Sequence, residues 1–427
     1  MTVRQAPATL GAWLERIEKL HPKSIDMGLE RVAQVRDAMA LKMPFPVLTV
    51  GGTNGKGSVC AMLESILAAS GYKVGLYTSP HLLRFNERIR VGRRELTDEA
   101  LLASFDRIDA ARADTLLTYF EFATLAAVDL FIRENVDVAV LEVGLGGRLD
   151  AVNAFDPDCA VVASVGIDHV DYLGSTREQI GFEKAGIFRA GRPAICGDEH
   201  PPESLRQYAL DLGADLQLRS RDFGYRIHDA VQWQYWSALG KRSGLPFPAL
   251  RGEFQVGNAT IALAALEAVA NRLPIDMGAV RRGLQELSLP GRFQIIPGRP
   301  QLVLDVGHNP DAAQILAQTL ASMPKASTTI AIFGMLADKD IDGVVSALIN
   351  RIDRWIVCGL DTPRSATSET LREALARAGV AAEAIDTADA PASALKTARE
   401  MAGENDRILA FGSFYTVSGV LQSTVER

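Results

Sequence analysis

Cysteine and histidine are scarce in this sequence, and their scarcity excludes several kinds of site. The 427 residues include four cysteines and six histidines. Neither a CxxC pair nor an HExxH motif occurs, so the spacing typical of zinc ribbons, disulfide frameworks and zinc proteases is missing. Four cysteines without a disulfide pattern favour a reduced, cytoplasmic setting.

The sequence also lacks long apolar runs and an excess of positive charge. No stretch of about 18 apolar residues occurs, so we expect no transmembrane helix. Charged residues near the N-terminus replace the apolar run that a signal peptide needs. The net charge of −7 disfavours nucleic acid and anionic membranes as partners. We therefore expect small molecules as partners, and we expect the protein to be a monomer.

Apolar runs alternate with helical patterns along the first part of the chain. This alternation predicts an α/β fold with a mostly parallel sheet and helices on both faces. Between about 198 and 250, shorter polar segments predict a small region of antiparallel strands or loops. We expect strands at 46–50, 73–78, 136–143 and 159–165, and helices at 58–70, 121–135, 256–271 and 276–287.

The length favours two or three domains rather than one core. Residues 288–300 are rich in proline and glycine and are predicted to be a linker. The β/α alternation then restarts, which predicts a smaller α/β domain. We expect one domain over 1–290 and a second over 299–427, the second with strands at 302–306, 329–333, 354–358 and 407–411.

A glycine-rich segment, Val50 to Ser58, lies between a predicted buried strand and a predicted helix. Glycines allow the tight turn that aims backbone N–H groups at an anion, and the following helix N-terminus favours negative charge. The Lys56 ammonium can offset negative charge on the outer phosphates of a nucleotide. The Ser58 hydroxyl can bind a magnesium ion. The GxxxxGK[ST] pattern is not matched, and an ordinary strand-to-helix turn with an exposed lysine remains the alternative.

Other residues allow both a chemical and a structural interpretation. Glu142 ends an apolar strand, where a carboxylate suits magnesium, although it can also be a solvated acid. Phe120 can stack on a flat ring or simply pack in the core. Five arginines between Arg84 and Arg94 are typical of a solvated face, with attraction of anionic substrates as the alternative.

Nine short motifs resemble, in order, those of the Mur ligase superfamily and, within it, the dihydrofolate synthase/folylpolyglutamate synthase family. They are IDMGLERV (25–32), SPHL (79–82), YFEF (119–122), LEVGLGGRLD (141–150), IDHVDYLG (167–174), EKAGIFR (183–189), LPGRFQ (289–294), DVGHNP (305–310) and FGSFYTV (411–417), besides TNGKGS (53–58). The resemblance runs from about residue 10 to 420. It implies an N-terminal ATPase domain of the Mur ligase central type and a smaller Rossmann-like C-terminal domain.

The resemblance also implies an ATP-dependent ligase that adds L-glutamate to 7,8-dihydropteroate and to tetrahydrofolates through an acyl phosphate, with ATP as co-substrate and two Mg²⁺ ions. It places Lys56, His308 and a carbamylated Lys184 in catalytic roles. The implied ATP contacts are Thr53, Asn54, Gly55, Lys56, Gly57, Ser58, Asn258, Arg292 and Asp305. The implied acceptor contacts are Asp26, Met27, Gly28, Leu29, Thr118, Tyr119, Phe120, Glu121, Leu149, Asp150 and Ala151. The implied metal ligands are Ser58, Ser79, Glu142 and His169.

On the residues alone, several of these assignments have plainer alternatives. Lys184 is typical of a surface lysine, Asn258 of a helix cap and His169 of a structural histidine. As alternative functions we keep a folylpolyglutamate synthase without the dihydropteroate activity, a peptidoglycan Mur ligase and a P-loop kinase or ATPase. The short stretch before Gly51 disfavours the peptidoglycan enzyme, and the second α/β domain disfavours the kinase.

Overall fold

The computed structural model describes residues 7–425, and the chain folds into two compact units. Unit 1 comprises the described residues up to Ala249 together with Val256–Leu287. Unit 2 comprises Leu250–Gln255 and the described residues from Ser288 onwards. The domain limits expected from the sequence, 1–290 and 299–427, stay a prediction.

The elements before Ser288 alternate between strands and helices. The strands are β1 Val47–Gly51, β2 Val74–Tyr77, β3 Ile89–Val91, β4 Arg94–Glu95, β5 Val138–Glu142, β6 Cys159–Val162, β7 Pro193–Cys196, β8 Asp215–Leu218, β9 Phe223–Ile227, β10 Gln232–Ser237 and β11 Gly240–Pro246. The helices are α1 Leu10–Glu18, α2 Glu30–Ala38, α3 Lys56–Ala69, α4 Asp98–Arg112, α5 Tyr119–Arg133, α6 Val170–Leu173, α7 Arg177–Ala185, α8 Glu203–Leu212, α9 Phe254–Ala268 and α10 Met277–Gln285.

The main sheet of unit 1 has the strand order β4-β3-β2-β5-β1-β6-β7-β8. Strands β2, β5, β1, β6, β7 and β8 run parallel, and β3 and β4 extend one edge in antiparallel fashion. β1, β5 and β6 are buried along their whole length, as expected of apolar strands covered on both faces. Their carboxyl ends therefore meet at one sheet edge, where open α/β sheets bind ligands.

The segment 198–250 differs in part from its prediction. Strands β9, β10 and β11 form the expected small antiparallel sheet. Residues 203–218 instead add one more helix and one more parallel strand, α8 and β8, to the main sheet. The prediction of antiparallel strands or loops is wrong for these residues because the apolar positions of α8, such as Leu205 and Ala209, are buried against unit 1.

Unit 2 is a second α/β unit. Its strands are β12 Gln294–Ile296, β13 Gln301–Asp305, β14 Thr329–Phe333, β15 Arg354–Cys358, β16 Ile385–Ala388 and β17 Arg407–Phe411, in the order β12-β13-β17-β14-β15-β16. Its helices are α11 Pro310–Ala321, α12 Ile341–Leu348, α13 Ser368–Arg377, α14 Pro391–Met401 and α15 Phe414–Val425. All neighbouring strands are parallel except β12, which pairs antiparallel with β13. Strand β12 lies inside the predicted linker, 288–300.

The predicted α/β fold class is confirmed in both units, although element boundaries shift by a few residues. For example, α3 begins at Lys56 rather than Ser58, because Gly55 is left-handed (φ 87°) and serves as the N-cap. In the part of the chain that the structure describes, no helix combines the length and apolar character that a membrane span requires.

Candidate active site

The glycine-rich segment Val50 to Ser58, which we call the phosphate loop, leads from β1 into α3. Hydrogen bonds to its backbone hold it in shape. Thr53 N donates to Ser164 O at 2.9 Å, and Asn54 N donates to Ser164 Oγ at 2.9 Å. Gly55 needs its left-handed conformation, and an added Cβ there would come 2.8 Å from Asn258 Oδ1. The loop is thus a pre-formed turn that leads into α3, and Asn258 lies against it. Asn258 is the fifth residue of α9, so its interpretation as a helix cap is wrong.

The remaining loop residues present a cation and a hydroxyl at the start of α3. Lys56 Nζ folds back and donates to Gly52 O at 2.9 Å and to Thr53 O at 3.2 Å. Gly57 is buried in the first turn, and Ser58 is 2% exposed. A lysine ammonium close to a helix N-terminus suits a polyphosphate.

Glu142 ends β5 and lies beside the strand that enters the phosphate loop. It pairs with Val50 across the β1–β5 ladder, and it is 3% exposed. Its Oε2 accepts a hydrogen bond from Ser79 N at 3.2 Å, so the structure brings Glu142 and Ser79 together. A carboxylate and hydroxyls are oxygen ligands of the kind Mg²⁺ prefers.

Lys184 is buried, contrary to its interpretation as a surface lysine. The residue lies in the last turn of α7 and is 3% exposed. Burial, with a smaller contribution from Lys56, lowers the pKa of the Lys184 amine to about 7, while Asp168 and Asp150 oppose the shift. Lys184 therefore belongs to a charged cluster with these three residues, and its amine is partly neutral near pH 7.

The lowered pKa makes stability depend on pH with a definite sign. Between the folded pKa near 7 and the unfolded value of 10.5, the unfolded state binds more protons at Lys184, so this group's contribution to stability rises with pH. We expect the free energy of unfolding of the wild type, relative to Lys184→Met, to increase by about 2 kcal/mol from pH 7 to pH 9. Urea denaturation in CO₂-free buffer at both pH values measures this. A constant difference would show that Lys184 titrates normally.

Asp150 belongs to this cluster, and His169 follows its member Asp168 directly in the chain. Burial raises the pKa of the Asp150 carboxyl to about 7, although Leu145 N and Val152 N donate to it at 2.8 and 3.0 Å. His169 caps α6 in a left-handed conformation (φ 53°), and Asp168 Oδ1 accepts from its backbone N–H at 2.8 Å. The motif IDHVDYLG contains Asp168, but our sequence reasoning used only the histidine and missed it.

Three predicted acceptor segments lie together in unit 1. Gly28 N donates to Leu149 O at 3.3 Å, which joins 26–29 to 149–151. Arg31 Nη1 donates to Asp26 Oδ2 at 2.7 Å and its Nε to Glu121 Oε1 at 3.1 Å, which joins 26–29 to 118–121. The sequence reasoning missed Arg31. A cavity of about 690 Å³ opens beside these segments and is lined in part by Asp26, Met27, Arg148, Leu149, Tyr172 and Glu183.

Two aromatic residues lie within the acceptor segment 118–121. Tyr119 and Phe120 are half-buried in the first turn of α5, whose N-cap is Thr118. The Phe120 ring lies 5.8 Å from that of Tyr77, and a Cβ on Gly144 would come 2.6 Å from it. Phe120 is therefore partly buried against the core, and its stacking on a flat ring stays a prediction.

The arginine-rich segment is not a simple solvated face. Arg88 is buried and its Nε donates to His81 Nδ1 at 2.7 Å. Arg90 lies 2.5 Å from the buried Glu64, and Arg93 Nη2 donates to Glu286 O. The expectation of a solvated face is wrong for Arg88 and Arg90, because each satisfies a partly or fully buried partner.

The predicted residues of unit 2 gather at the carboxyl edge of its sheet. Asp305 ends β13 and accepts from Phe293 N at 2.9 Å and Gly307 N at 2.7 Å. The Arg292 guanidinium lies 5.1 Å from the Phe414 ring centre, and the His308 ring 6.5 Å from it. His308 Nδ1 lies 2.9 Å from Val306 O, so this nitrogen carries the proton. Burial raises the pKa of the Asp305 carboxyl.

Within residues 7–425, no group of three or more His, Cys, Asp and Glu side chains is arranged to hold a metal ion. This is compatible with a site for Mg²⁺, which takes one or two carboxylates and completes its shell with water and substrate phosphates. The Glu142 carboxylate, which accepts from the backbone N–H of Ser79, is a donor of this type.

Family models match most of the chain. Residues 50–266 match the Mur ligase middle domain, and residues 291–414 match the Mur ligase glutamate ligase domain.

Among characterised relatives, the dihydrofolate synthase/folylpolyglutamate synthase of Escherichia coli K12 is 45% identical, over 98% of this chain and 96% of that protein. The structure of E. coli FolC in complex with DHPP and ADP has a TM-score of 0.93, covers 99% of each chain and is 45% identical. A bifunctional folylpolyglutamate synthase/dihydrofolate synthase with Mn, AMPPNP and L-glutamate bound has a TM-score of 0.91 and 41% identity, over 99% of this chain and all of that one.

Proposed function

The chain belongs to the Mur ligase family and, within it, to the dihydrofolate synthase/folylpolyglutamate synthases, and from this premise we propose how its residues act. The protein is an ATP-dependent ligase of folate metabolism. It adds L-glutamate to 7,8-dihydropteroate, which forms dihydrofolate, and to tetrahydrofolate and its polyglutamates. A divalent metal and ATP take part, as the ligands of the related structures indicate.

We propose that the phosphate loop binds ATP. Gly55 and Gly57 supply backbone donors, Thr53 and Asn54 line the loop that Ser164 holds, and Lys56 and Ser58 face the phosphates. One observation carries this proposal: Lys56 Nζ donates to the loop carbonyls of Gly52 and Thr53. An incoming phosphate oxygen can replace those two acceptors. Asn258, which lies against Gly55, contacts the nucleotide in this scheme.

The donor set at the end of β5 suits one magnesium ion. We propose Glu142, Ser79 and Ser58 as its ligands, with the remaining positions taken by water and phosphate oxygens. When bound, Mg²⁺ neutralises charge on the phosphates during transfer. The chain's own contribution is to orient the Glu142 carboxylate through the Ser79 N–H, and to keep bulk water out with buried strands.

We propose that Lys184 is carbamylated and, with His169, holds a second Mg²⁺ ion. The neutral Nζ attacks CO₂, a new N–C bond forms and a proton is released. The product is an anionic carbamate at a position where a protonated lysine would be a cation. Burial and the low pKa supply the neutral amine. The new negative charge pairs with Lys56 and replaces the repulsion between the two lysines.

We propose that the acceptor contacts Asp26–Leu29, Thr118–Glu121 and Leu149–Ala151 and enters the cavity that Asp26, Met27 and Leu149 line. A cavity of about 690 Å³ is in the range that binds a small organic ligand. Phe120 can stack on a flat ring, and Asp150, with its raised pKa, can donate as a neutral acid or accept as a carboxylate.

In unit 2, we propose that Arg292 and Asp305 contact ATP and that His308 acts at the reacting groups. Arg292 supplies charge for the transferring phosphoryl group. The Nδ1–H of His308 is held by Val306 O, so in the neutral form its Nε2 is the acceptor and can take a proton from the attacking amine.

The proposed reaction has two steps. A carboxylate oxygen of the acceptor attacks the γ-phosphorus of ATP and ADP leaves, which forms an acyl phosphate. The amine of L-glutamate then attacks the acyl carbon, loses a proton and expels phosphate. No protein nucleophile is needed, which agrees with the burial of all four cysteine residues. Small molecules suffice as partners, and we propose that the protein is a cytoplasmic monomer.

Phosphate release with ATP, Mg²⁺ and L-glutamate tests this function. We expect release with 7,8-dihydropteroate and with tetrahydrofolate, and none when glutamate is left out. Release with tetrahydrofolate but not with 7,8-dihydropteroate would indicate a folylpolyglutamate synthase that lacks the dihydrofolate synthase activity. Release that needs no glutamate would instead indicate a kinase or ATPase.

A further inference from the structure

We propose that Arg31 is a positioning residue that sets the separation of two segments of the proposed acceptor site, 26–29 and 118–121. The inference rests on the proposed acceptor site and assigns a role to a residue outside it. Arg31 lies in the first turn of α2 and joins Asp26, just before that helix, to Glu121 in the first turn of α5. We call these three residues the Arg31 bridge.

The Arg31 bridge uses the whole guanidinium group. Nε donates to both Glu121 carboxylate oxygens, at 3.1 and 3.2 Å. Nη1 donates to Asp26 Oδ2 at 2.7 Å, and Nη2 to Asp26 O at 2.6 Å. A planar fork is required to reach both carboxylates and a backbone carbonyl at once, and a lysine ammonium lacks that shape.

One partner in the Arg31 bridge, Glu121, is buried and therefore depends on the arginine for its counter-charge. Glu121 is 3% exposed, and its Oε2 also accepts from Thr118 N at 2.7 Å in a capping box. Without Arg31, the buried Glu121 carboxylate would lose its cation, whereas Asp26 would keep Lys23, whose Nζ donates to Asp26 Oδ1 at 2.9 Å. The penalty for an unpaired buried charge, together with loss of the link between the two carboxylates, would then let Asp26 and Thr118 move apart.

These movements act on the acceptor rather than on ATP. Asp26 and Leu149 line the 690 Å³ cavity, and Gly28 N, two residues after Asp26, donates to Leu149 O. The phosphate loop is braced by a different set of hydrogen bonds, to Ser164 and Gly166. We therefore expect loss of Arg31 to raise KM for the acceptor selectively.

A second ion pair on the same helix provides a matched control. Arg107, in α4, has its Nη2 2.5 Å from Asp129 Oδ2, and Asp129 is 3% exposed in α5. Asp129 lies two helical turns beyond Glu121, and neither Arg107 nor Asp129 belongs to the acceptor segments. Removing Arg107 takes one cation from a buried α5 carboxylate, which keeps Arg133 at 2.9 Å, without touching the acceptor segments.

The test compares steady-state kinetics of Arg31→Met, Arg31→Lys and Arg107→Met with dihydropteroate, ATP and glutamate. We expect Arg31→Met to raise KM for dihydropteroate about 10- to 100-fold, since small misplacements of binding groups have effects of this size, and to leave KM for ATP within about twofold. Arg31→Lys restores part of the loss, since it keeps the charge without the fork. Arg107→Met lowers the thermal midpoint while KM for dihydropteroate stays within about twofold.

Equal changes in KM for dihydropteroate in Arg31→Met and Arg107→Met would overturn the inference, because the bridge would then be only structural. If Arg31→Met does not fold, Arg31→Lys decides: a wild-type KM for dihydropteroate overturns the proposal, and a selective increase supports it. Wild-type protein that uses neither dihydropteroate nor tetrahydrofolate would instead overturn the proposed function itself.

Discussion

Replacing Lys56 by alanine should lower glutamate-dependent phosphate release by about 10²- to 10³-fold in a folded protein. The expected size is that of removing one preorganised group that stabilises charge in the transition state. The Lys56 amine already lies over the phosphate loop, bonded to Gly52 O and Thr53 O. Losing it removes the positive charge without changing the backbone that forms the loop. Phosphate release at saturating acceptor and glutamate measures the effect.

Lys73→Ala is the matched control for this substitution. Lys73 belongs to the same unit and pairs with Glu134 at 3.0 Å, but its side chain is 44% exposed. Exposed ion pairs of this kind contribute little to stability, so we expect activity and thermal midpoint close to those of the wild type. Full activity in a folded Lys56→Ala variant would remove the lysine from the ATP site.

Replacing Lys184 by alanine should lower activity about 10²- to 10³-fold, and added formate or acetate should restore part of it. A short carboxylate can occupy the space of the missing side chain and supply the anion that we assign to the carbamate. Phosphate release, measured with and without about 0.1 M carboxylate, tests both statements. Intact mass is a poor substitute because a carbamate loses CO₂ easily.

Lys56→Ala serves as the control for the rescue. Its defect is the loss of a cation, so a carboxylate should not restore it. Full activity of Lys184→Ala without any added carboxylate would exclude an essential role for Lys184. An inactive variant that no carboxylate improves would contradict the carbamate while leaving the buried lysine important.

The strand and loop patterns were predictable because they depend on local chemistry. Apolar runs mark β1, β5 and β6, and the glycines of the phosphate loop are needed for its turn. Residues 203–218 were mispredicted because the parallel pairing of β8 with β7 is a tertiary contact that has no local signal.

The candidate site was predictable where a motif gives chemistry and order together, as for Glu142 and Lys56. Burial was harder to foresee. Lys184 resembles a surface lysine in a helical pattern, and only the folded chain places it in the interior next to Lys56. Arg31 was missed for the same reason, since its partner Glu121 is 90 residues away along the chain.

The most direct test of the mechanism follows one oxygen atom. Dihydropteroate labelled with ¹⁸O in its carboxylate is incubated with the enzyme, ATP, Mg²⁺ and L-glutamate, and the released phosphate is analysed by mass spectrometry. An acyl phosphate predicts that each phosphate carries one oxygen from the carboxylate. Unlabelled phosphate together with dihydrofolate formation would contradict phosphorylation of the acceptor.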